Sequence, residues 1–176
     1  MSKWLRNALL LLVVISPFSS AQFEPQYPII EELSWTDSSY LAKQRARVDR
    51  LTRENTGTPI RGDKTDLNTL QRVVDRELVT NDDKLTLQAL GVVLADVMLT
   101  AEPALEWKIY EDKRGRSRAL CIKDTQDCLF PVTMLSRRMK VGLKPDVKKV
   151  YVEAMDLVGA QLPPLPYGET REYLPY

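Results

Sequence analysis

Residues 107–130 have the sequence WKIYEDKRGRSRALCIKDTQDCLF, in which apolar and polar side chains alternate on both sides of a charged turn. Alternation with a period of two is typical of strands that bury one face. We therefore expect a hairpin with a four-residue loop over Lys113–Arg116. The facing pairs in this register are Trp107 with Ile122 and Ile109 with Leu120.

A second turn at Asp124 and Thr125 predicts a short third strand. It brings Cys121 opposite Cys128, the two cysteines of the chain. An even number of cysteines in an exported chain favours a structural disulfide over free thiols, and the spacing is not the C-x-x-C of a redox pair. The sequence thus predicts a three-stranded antiparallel meander with one disulfide, Cys121–Cys128.

The predicted sheet has two different faces. Trp107 and its apolar partners should face the helices, and alternation places a second set on the reverse face. That second set is Tyr110, Ala119, Cys121, Cys128 and Phe130. An apolar outer face needs a cover, so either the lead-in, residues 23–35, or the tail, residues 162–176, lies over it, or Tyr110 and Phe130 form a binding site.

Helical periodicity predicts about five helices around this sheet, which gives an α+β class. The third helix is apolar on nearly every side and should be central. The basic side chains of the first helix are interpreted as a solvated surface, with a basic binding face as the alternative. The first predicted helix begins at Thr36 or Asp37 and ends near Asn55, and the second follows an Asp66 cap. The third spans Lys84 to about Thr100. The fourth runs from Pro131 to Gly142, and the fifth extends from an Asp146 cap to Gly159.

The N-terminal segment, residues 1–21, is typical of a secretory signal peptide. Lys3 and Arg6 precede an apolar run, and Ser19 and Ala21 are small residues before a cleavage point at Gln22. We expect a periplasmic or secreted protein with a single α+β domain over residues 22–161, a Pro-rich tail over residues 162–176 and no transmembrane segment.

Composition removes several kinds of chemistry. The 176 residues contain 25 Lys and Arg, 24 Asp and Glu, and no His. A nearly neutral chain argues against nucleic-acid binding, and the absence of His removes His-dependent nucleophiles and His-ligated metals. No metal or cofactor is predicted. Asp96, inside the most apolar helix, is a weak candidate for a general acid. It could instead lie at a wet edge of that helix or accept hydrogen bonds from an arginine.

A set of short motifs resembles an exported domain of unknown function found in Gram-negative bacteria, over roughly residues 67–157. The motifs are Leu90-Gly91, Asp96, Trp107, Gly115, Phe130-Pro131, Met134 and Arg137-Arg138. The resemblance implies a periplasmic or secreted location and one α+β domain. It implies no activity, cofactor or catalytic residue.

Two functional hypotheses remain open at this point. The first is a non-enzymatic envelope protein that binds another protein or a cell-wall component, with Tyr110 and Phe130 at the binding face. The second is a hydrolase of envelope glycan or peptide that acts through Asp96 and an unidentified Glu.

Overall fold

The computed structural model describes residues 26–162 together with residues 164, 171 and 173. The predicted signal peptide, residues 1–21, and the rest of the predicted tail lie outside the described residues.

The α+β class is confirmed: helices pack on an antiparallel sheet with strand order β1-β2-β3-β4. The strands are β1 (Ile29–Glu32), β2 (Leu105–Asp112), β3 (Gly115–Ile122) and β4 (Cys128–Leu129). The helices are α1 (Trp35–Thr56), α2 (Thr65–Asp75), α3 (Lys84–Ala101), α4 (Pro131–Met134), α5 (Ser136–Lys140) and α6 (Val147–Gly159).

The sheet has a fourth strand that the sequence did not reveal. Residues of the lead-in form β1, which pairs with β2 so that Ile30 lies opposite Tyr110. The four residues of β1, Ile-Ile-Glu-Glu, do not alternate, so their pattern carried no strand signal. Ile29–Glu32 of the lead-in therefore extend the sheet alongside β2, and residues 23–25 lie outside the described residues.

The predicted hairpin register was wrong by two residues. Asp112 pairs with Gly115, which leaves a two-residue loop of Lys113 and Arg114. Gly115 has a φ of 122°, a value that favours glycine, and the Asp112 carboxylate accepts the Arg114 N–H at 2.8 Å. The observed facing pairs include Leu105 with Ile122, Trp107 with Leu120 and Ile109 with Arg118.

A slip of two residues preserves the two faces, because side chains alternate with the same period. Trp107 is half-buried against the core, and Ile109 and Leu120 are fully buried. The second turn is confirmed, since Cys121 pairs with Cys128 in the β3–β4 ladder. The disulfide Cys121–Cys128 is also confirmed.

Helix α3 is the centre of the core, as predicted. Asp83 caps it by accepting the Thr86 N–H at 3.0 Å. By length and composition alone α3 could cross a membrane, but most of its residues are buried among the other elements. A continuous apolar surface on one helix is what a helix enclosed by its own domain requires.

Glycine at position 91 lets the chain after β4 pack directly on α3. A Cβ there would lie 2.4 Å from the Pro131 carbonyl oxygen and 2.6 Å from the Val132 Cα. The single helix predicted from Pro131 is two short helices, α4 and α5, interrupted at the fully buried Leu135. No Gly or Pro marks this interruption, so local sequence signals could not locate it.

Two helix starts also differ from the prediction. Ser34, not Thr36 or Asp37, caps α1, and Asp37 is the third helical residue, whose side chain completes the capping box. Lys64 precedes α2 without a side-chain cap, and Asp66 lies inside the first turn. The Asp66 carboxylate accepts the Gly62 N–H at 2.7 Å, and burial raises the pKa of this side chain. The Asp146 cap of α6 is as predicted.

The described residues of the tail contact the helical side of the domain. Leu162 and Tyr173 are buried in the main core, and Tyr173 lies against Gly159 of α6. Arg171 forms an ion pair with Glu102 at 3.2 Å.

Candidate functional site

Asp96, the weak catalytic candidate, is held by an arginine. Arg45 of α1 donates from Nε to Asp96 Oδ2 at 2.6 Å and from Nη2 to Oδ1 at 2.7 Å. This two-bond geometry ties α1 to α3 and occupies both carboxylate oxygens. The arrangement matches the arginine-partner interpretation of Asp96.

Tyr110 and Phe130, the predicted binding residues, lie in contact. Their rings meet edge to face, with centroids 5.1 Å apart and planes at 87°. Both side chains are half-buried. The reverse face is less apolar than expected, because Lys108 forms ion pairs there with Glu106 at 2.9 Å and with Glu32.

On the core face of β3, the buried carboxylate of Asp37 from α1 holds two arginine side chains. Asp37, only 2% exposed, accepts hydrogen bonds from Arg116 at 2.7 Å and 3.0 Å and an ion pair from Arg118 at 2.8 Å. The capping Ser34 also binds it. The hydrogen bonds from Arg116 hold the pKa of Asp37 well below its usual range, against the effect of desolvation.

Arg118 is also fixed by an aromatic ring. Its guanidinium carbon lies 3.9 Å from the centroid of Tyr40 on α1, which is a cation–π contact. Its Nε is buried and has no hydrogen-bond partner among the described residues. The side chain is therefore pre-positioned and retains an unused donor.

These side chains border a cavity of about 180 Å³, which we call the arginine pocket. Its walls come from α1, α3, β3, α4 and α5. The lining residues are Tyr40, Gln88, Arg116, Ser117, Arg118, Phe130, Val132, Thr133 and Arg137. Three of them are arginines and none is acidic. Fixed guanidinium groups beside an aromatic side chain are suited to binding an anionic group, and the lining offers no carboxylate as a base.

The close approach of α4 to α3 at Gly91 shapes this pocket. It places Val132 and Thr133 opposite β3, and α5 then carries Arg137 to the rim. Three positions that carried the family resemblance, Gly91, Phe130 and Arg137, thus serve one site.

Sequence reasoning missed the role of Arg116 and Arg118. Arg116 was assigned to the hairpin loop and Arg118 was given no role, although both lie on the core face of β3 beside Asp37. Two signals pointed to this arrangement: arginines at alternate strand positions that face inward, and the S-x-x-D capping pattern from Ser34 to Asp37. The pairing partner, however, lies 79 residues away in sequence.

The basic side chains of α1 do not gather into a comparable site. Arg45 and Arg53 are engaged by Asp96 and Asp49. Lys43, Arg47 and Arg50 border a wide cavity of about 440 Å³, whose lining also includes Glu54. Among the described residues no three His, Cys, Asp or Glu side chains are placed to hold a metal ion.

Residues 66–151 match the family described as a domain of unknown function, DUF3806. The chain contains a DUF3806 domain. The matched segment spans α2, α3, β2, β3, β4, α4, α5 and the start of α6, so it supplies most walls of the arginine pocket. Asp37 and Tyr40, which fix Arg116 and Arg118, come from α1 outside the DUF3806 segment.

Comparison with known proteins adds information on the fold. No curated protein matches this DUF3806-containing chain. A crystal structure of a protein from Bacteroides thetaiotaomicron is similar, with a TM-score of 0.69 and 16% identity, over 77% of this chain and 50% of that chain. The chain thus spans about half the length of this structural relative, and the likeness shows a shared fold.

Proposed function

We propose that this protein is a non-enzymatic binding protein of the periplasm or the extracellular space. Its arginine pocket takes a negatively charged group of an envelope partner, either a protein or a cell-wall component. The observation that carries the proposal is the lining itself: three arginines, two of them oriented by the buried Asp37, and no acidic side chain.

Charge supports the pocket as the contact point. Arg116 and Arg118 share Asp37, and Arg137 has no acidic partner among the described residues. The carboxylates of Glu31 and Glu111 attract the Arg116 guanidinium electrostatically and partly offset its charge. Positive charge is therefore concentrated near Arg118 and Arg137. Association with an acidic group would be favoured there by Coulomb attraction in a partly desolvated site.

Two features support export. The first 21 residues have the charge, apolar run and small residues of a signal peptide. The disulfide Cys121–Cys128 is of a kind that persists in oxidising compartments. Sequencing the N-terminus of the mature protein should give a start at or near Gln22, whereas a soluble product that retains Met1 would contradict export.

The alternative, a hydrolase that acts through Asp96, has less support. Arg45 engages both oxygens of this carboxylate, and a two-carboxylate mechanism needs a second acidic group within about 10 Å on the far side of the substrate. The arginine pocket, lined without acidic residues, does not supply it.

The proposed function is tested by crosslinking the mature protein in its native envelope fraction. Arg137→Glu should abolish recovery of the partner, because it reverses the charge at the rim of the pocket. Lys140→Glu, which reverses an exposed charge on the same helix but outside the pocket, is the matched control and should leave recovery unchanged. Equal recovery with both variants would refute the arginine pocket as the contact point.

A further inference from the structure

The outer edge of β3 is open along the arginine pocket. Strand β3 has eight residues, all paired with β2 on one side, but β4 pairs only with Leu120 and Cys121 on the other. From Gly115 to Ala119 the outer edge has no strand beside it among the described residues. Open edges of this kind accept an added strand in many peptide-binding proteins.

The register identifies which backbone groups point outward. Asp112 and Gly115 close a two-residue loop, and the closing pair of such a hairpin is hydrogen-bonded. Odd-numbered residues of β3 therefore bond to β2, and even-numbered residues face the outer edge. An independent contact agrees, because the Ile122 N–H donates to the Asp127 carbonyl at 2.9 Å, on the β4 side.

By the same alternation, the N–H and C=O groups of Arg116 and Arg118 face outward. Neither residue has a backbone hydrogen-bond partner on that side among the described residues. Both residues also line the arginine pocket. The pocket thus contains free backbone donors and acceptors of a strand as well as charged side chains.

The space beside the outer edge of β3, from Gly115 to Ala119, which we call the lane, is closed at one end. Strand β4 occupies this space next to Leu120. Phe130, the residue that follows β4 in the chain, lines the pocket. An extended segment that entered the lane from the Gly115 end would have to stop at Phe130. The occupant is therefore a chain end and not the middle of a chain.

Charge selects which end of a chain fits. The pocket along this edge is lined by Arg118 and Arg137 as well as by Phe130, and no acidic side chain is in its lining. A terminal carboxylate is complementary to these groups and a terminal ammonium is not. With its C-terminus at the closed end, the added strand runs parallel to β3.

We propose, on the basis of the proposed function, that the arginine pocket binds the C-terminal end of an extended peptide. The peptide pairs with the backbone of Arg116 and Arg118, its terminal carboxylate lies between Arg118 and Arg137, and an apolar last side chain packs on Phe130 and Val132. The partner is thus a protein with an accessible C-terminus.

The test uses a random heptapeptide library displayed with a free C-terminus against the full mature chain. Selected peptides should lose at least about tenfold in affinity when the terminal carboxylate is amidated, since a charge-assisted pair contributes on this scale. Arg137→Glu should abolish binding, and Lys140→Glu should not change it. Equal affinity of the acid and amide forms, or no enriched sequence, overturns the inference.

Backbone pairing has its own matched control. N-methylation of a selected peptide at alternate residues should abolish binding when the methyl groups face β3. Methylation of the neighbouring residues, whose N–H groups face away, should be tolerated. Equal loss in the two series would overturn strand addition. The two proposals can fail separately. If Arg137→Glu abolishes crosslinking to the partner but the library yields no binding peptide, the proposed function stands and only the peptide proposal is overturned.

Discussion

The guanidinium of Arg45 holds the carboxylate of Asp96 through two hydrogen bonds, 2.6 Å and 2.7 Å long. This pair joins α1 to the central helix α3. The α1 residues Asp37 and Tyr40, which position the pocket arginines, lie one to two turns before Arg45. The pair thus helps to hold in place the helix that organises the pocket, which is a structural role for Asp96.

Asp96→Asn should lower the free energy of unfolding by about 1.5–3 kcal/mol, the range for a hydrogen bond to a charged group. Urea denaturation followed by circular dichroism measures the change. Glu153→Gln is the control, because its pair with Lys149 is exposed and lies within one helix, where such pairs contribute about 0.3–0.5 kcal/mol. An unchanged midpoint in Asp96→Asn would argue against the structural role.

Gly91→Ala should destabilise the fold by about 1–3 kcal/mol or more, because the added Cβ meets the backbone of Pro131 and Val132, which cannot move without shifting α4. Gly159→Ala is the comparison: it is also helical, but its Cβ would meet the end of the Tyr173 side chain at 2.9 Å and not the backbone of another element, so it should cost less. Thermal denaturation should separate the two variants. A stable Gly91→Ala protein would mean that α4 does not pack on α3 this closely.

Asp37→Asn should cost about 2 kcal/mol at neutral pH, since it removes a buried partner from two arginines that retain some access to water. The pKa of Asp37 is lowered in the folded state, so its contribution is present above the unfolded-state value of about 4 and is lost as the pH falls further.

The free energy of unfolding of the wild type should therefore fall more steeply below about pH 4 than that of Asp37→Asn. Urea denaturation at a series of pH values measures both slopes, because urea is uncharged and does not screen the ion pairs. Glu77→Gln, which removes an exposed ion pair with Lys144, should keep the wild-type slope. Parallel slopes for wild type and Asp37→Asn would contradict a carboxylate that is charged and buried.

Reduction of Cys121–Cys128 should destabilise the domain by about 2.5 kcal/mol, the chain-entropy value for an eight-residue loop. A Cys121→Ala, Cys128→Ala double variant should match the reduced protein in its melting temperature and should not respond to reductant. Mass spectrometry of exported protein should show no alkylation without prior reduction. Both thiols alkylated in that material would rule out the bond.

Local patterns were sufficient for much of the fold. The apolar run of α3, the Asp146 cap of α6 and the alternation of β2 and β3 each depend on neighbours within a few residues. The faces of the sheet were predicted correctly even though the hairpin register was not, since a slip of two residues leaves every side chain on its own face. The Cys121–Cys128 pairing followed from a turn only a few residues long.

The arginine pocket depended on packing. Asp37 meets Arg116 and Arg118 because the start of α1 approaches the core face of β3, and Phe130 and Arg137 line one pocket in a structure where α4 packs against Gly91. The sequence by itself determined the longer helices α1, α2, α3 and α6, the faces of β2 and β3, and the disulfide, because these follow from periodicity and short turns. Only the tertiary structure decided the charge pairs, the open edge of β3 and the pocket, because residues far apart in sequence interact only after the elements have packed, and no local period records that geometry.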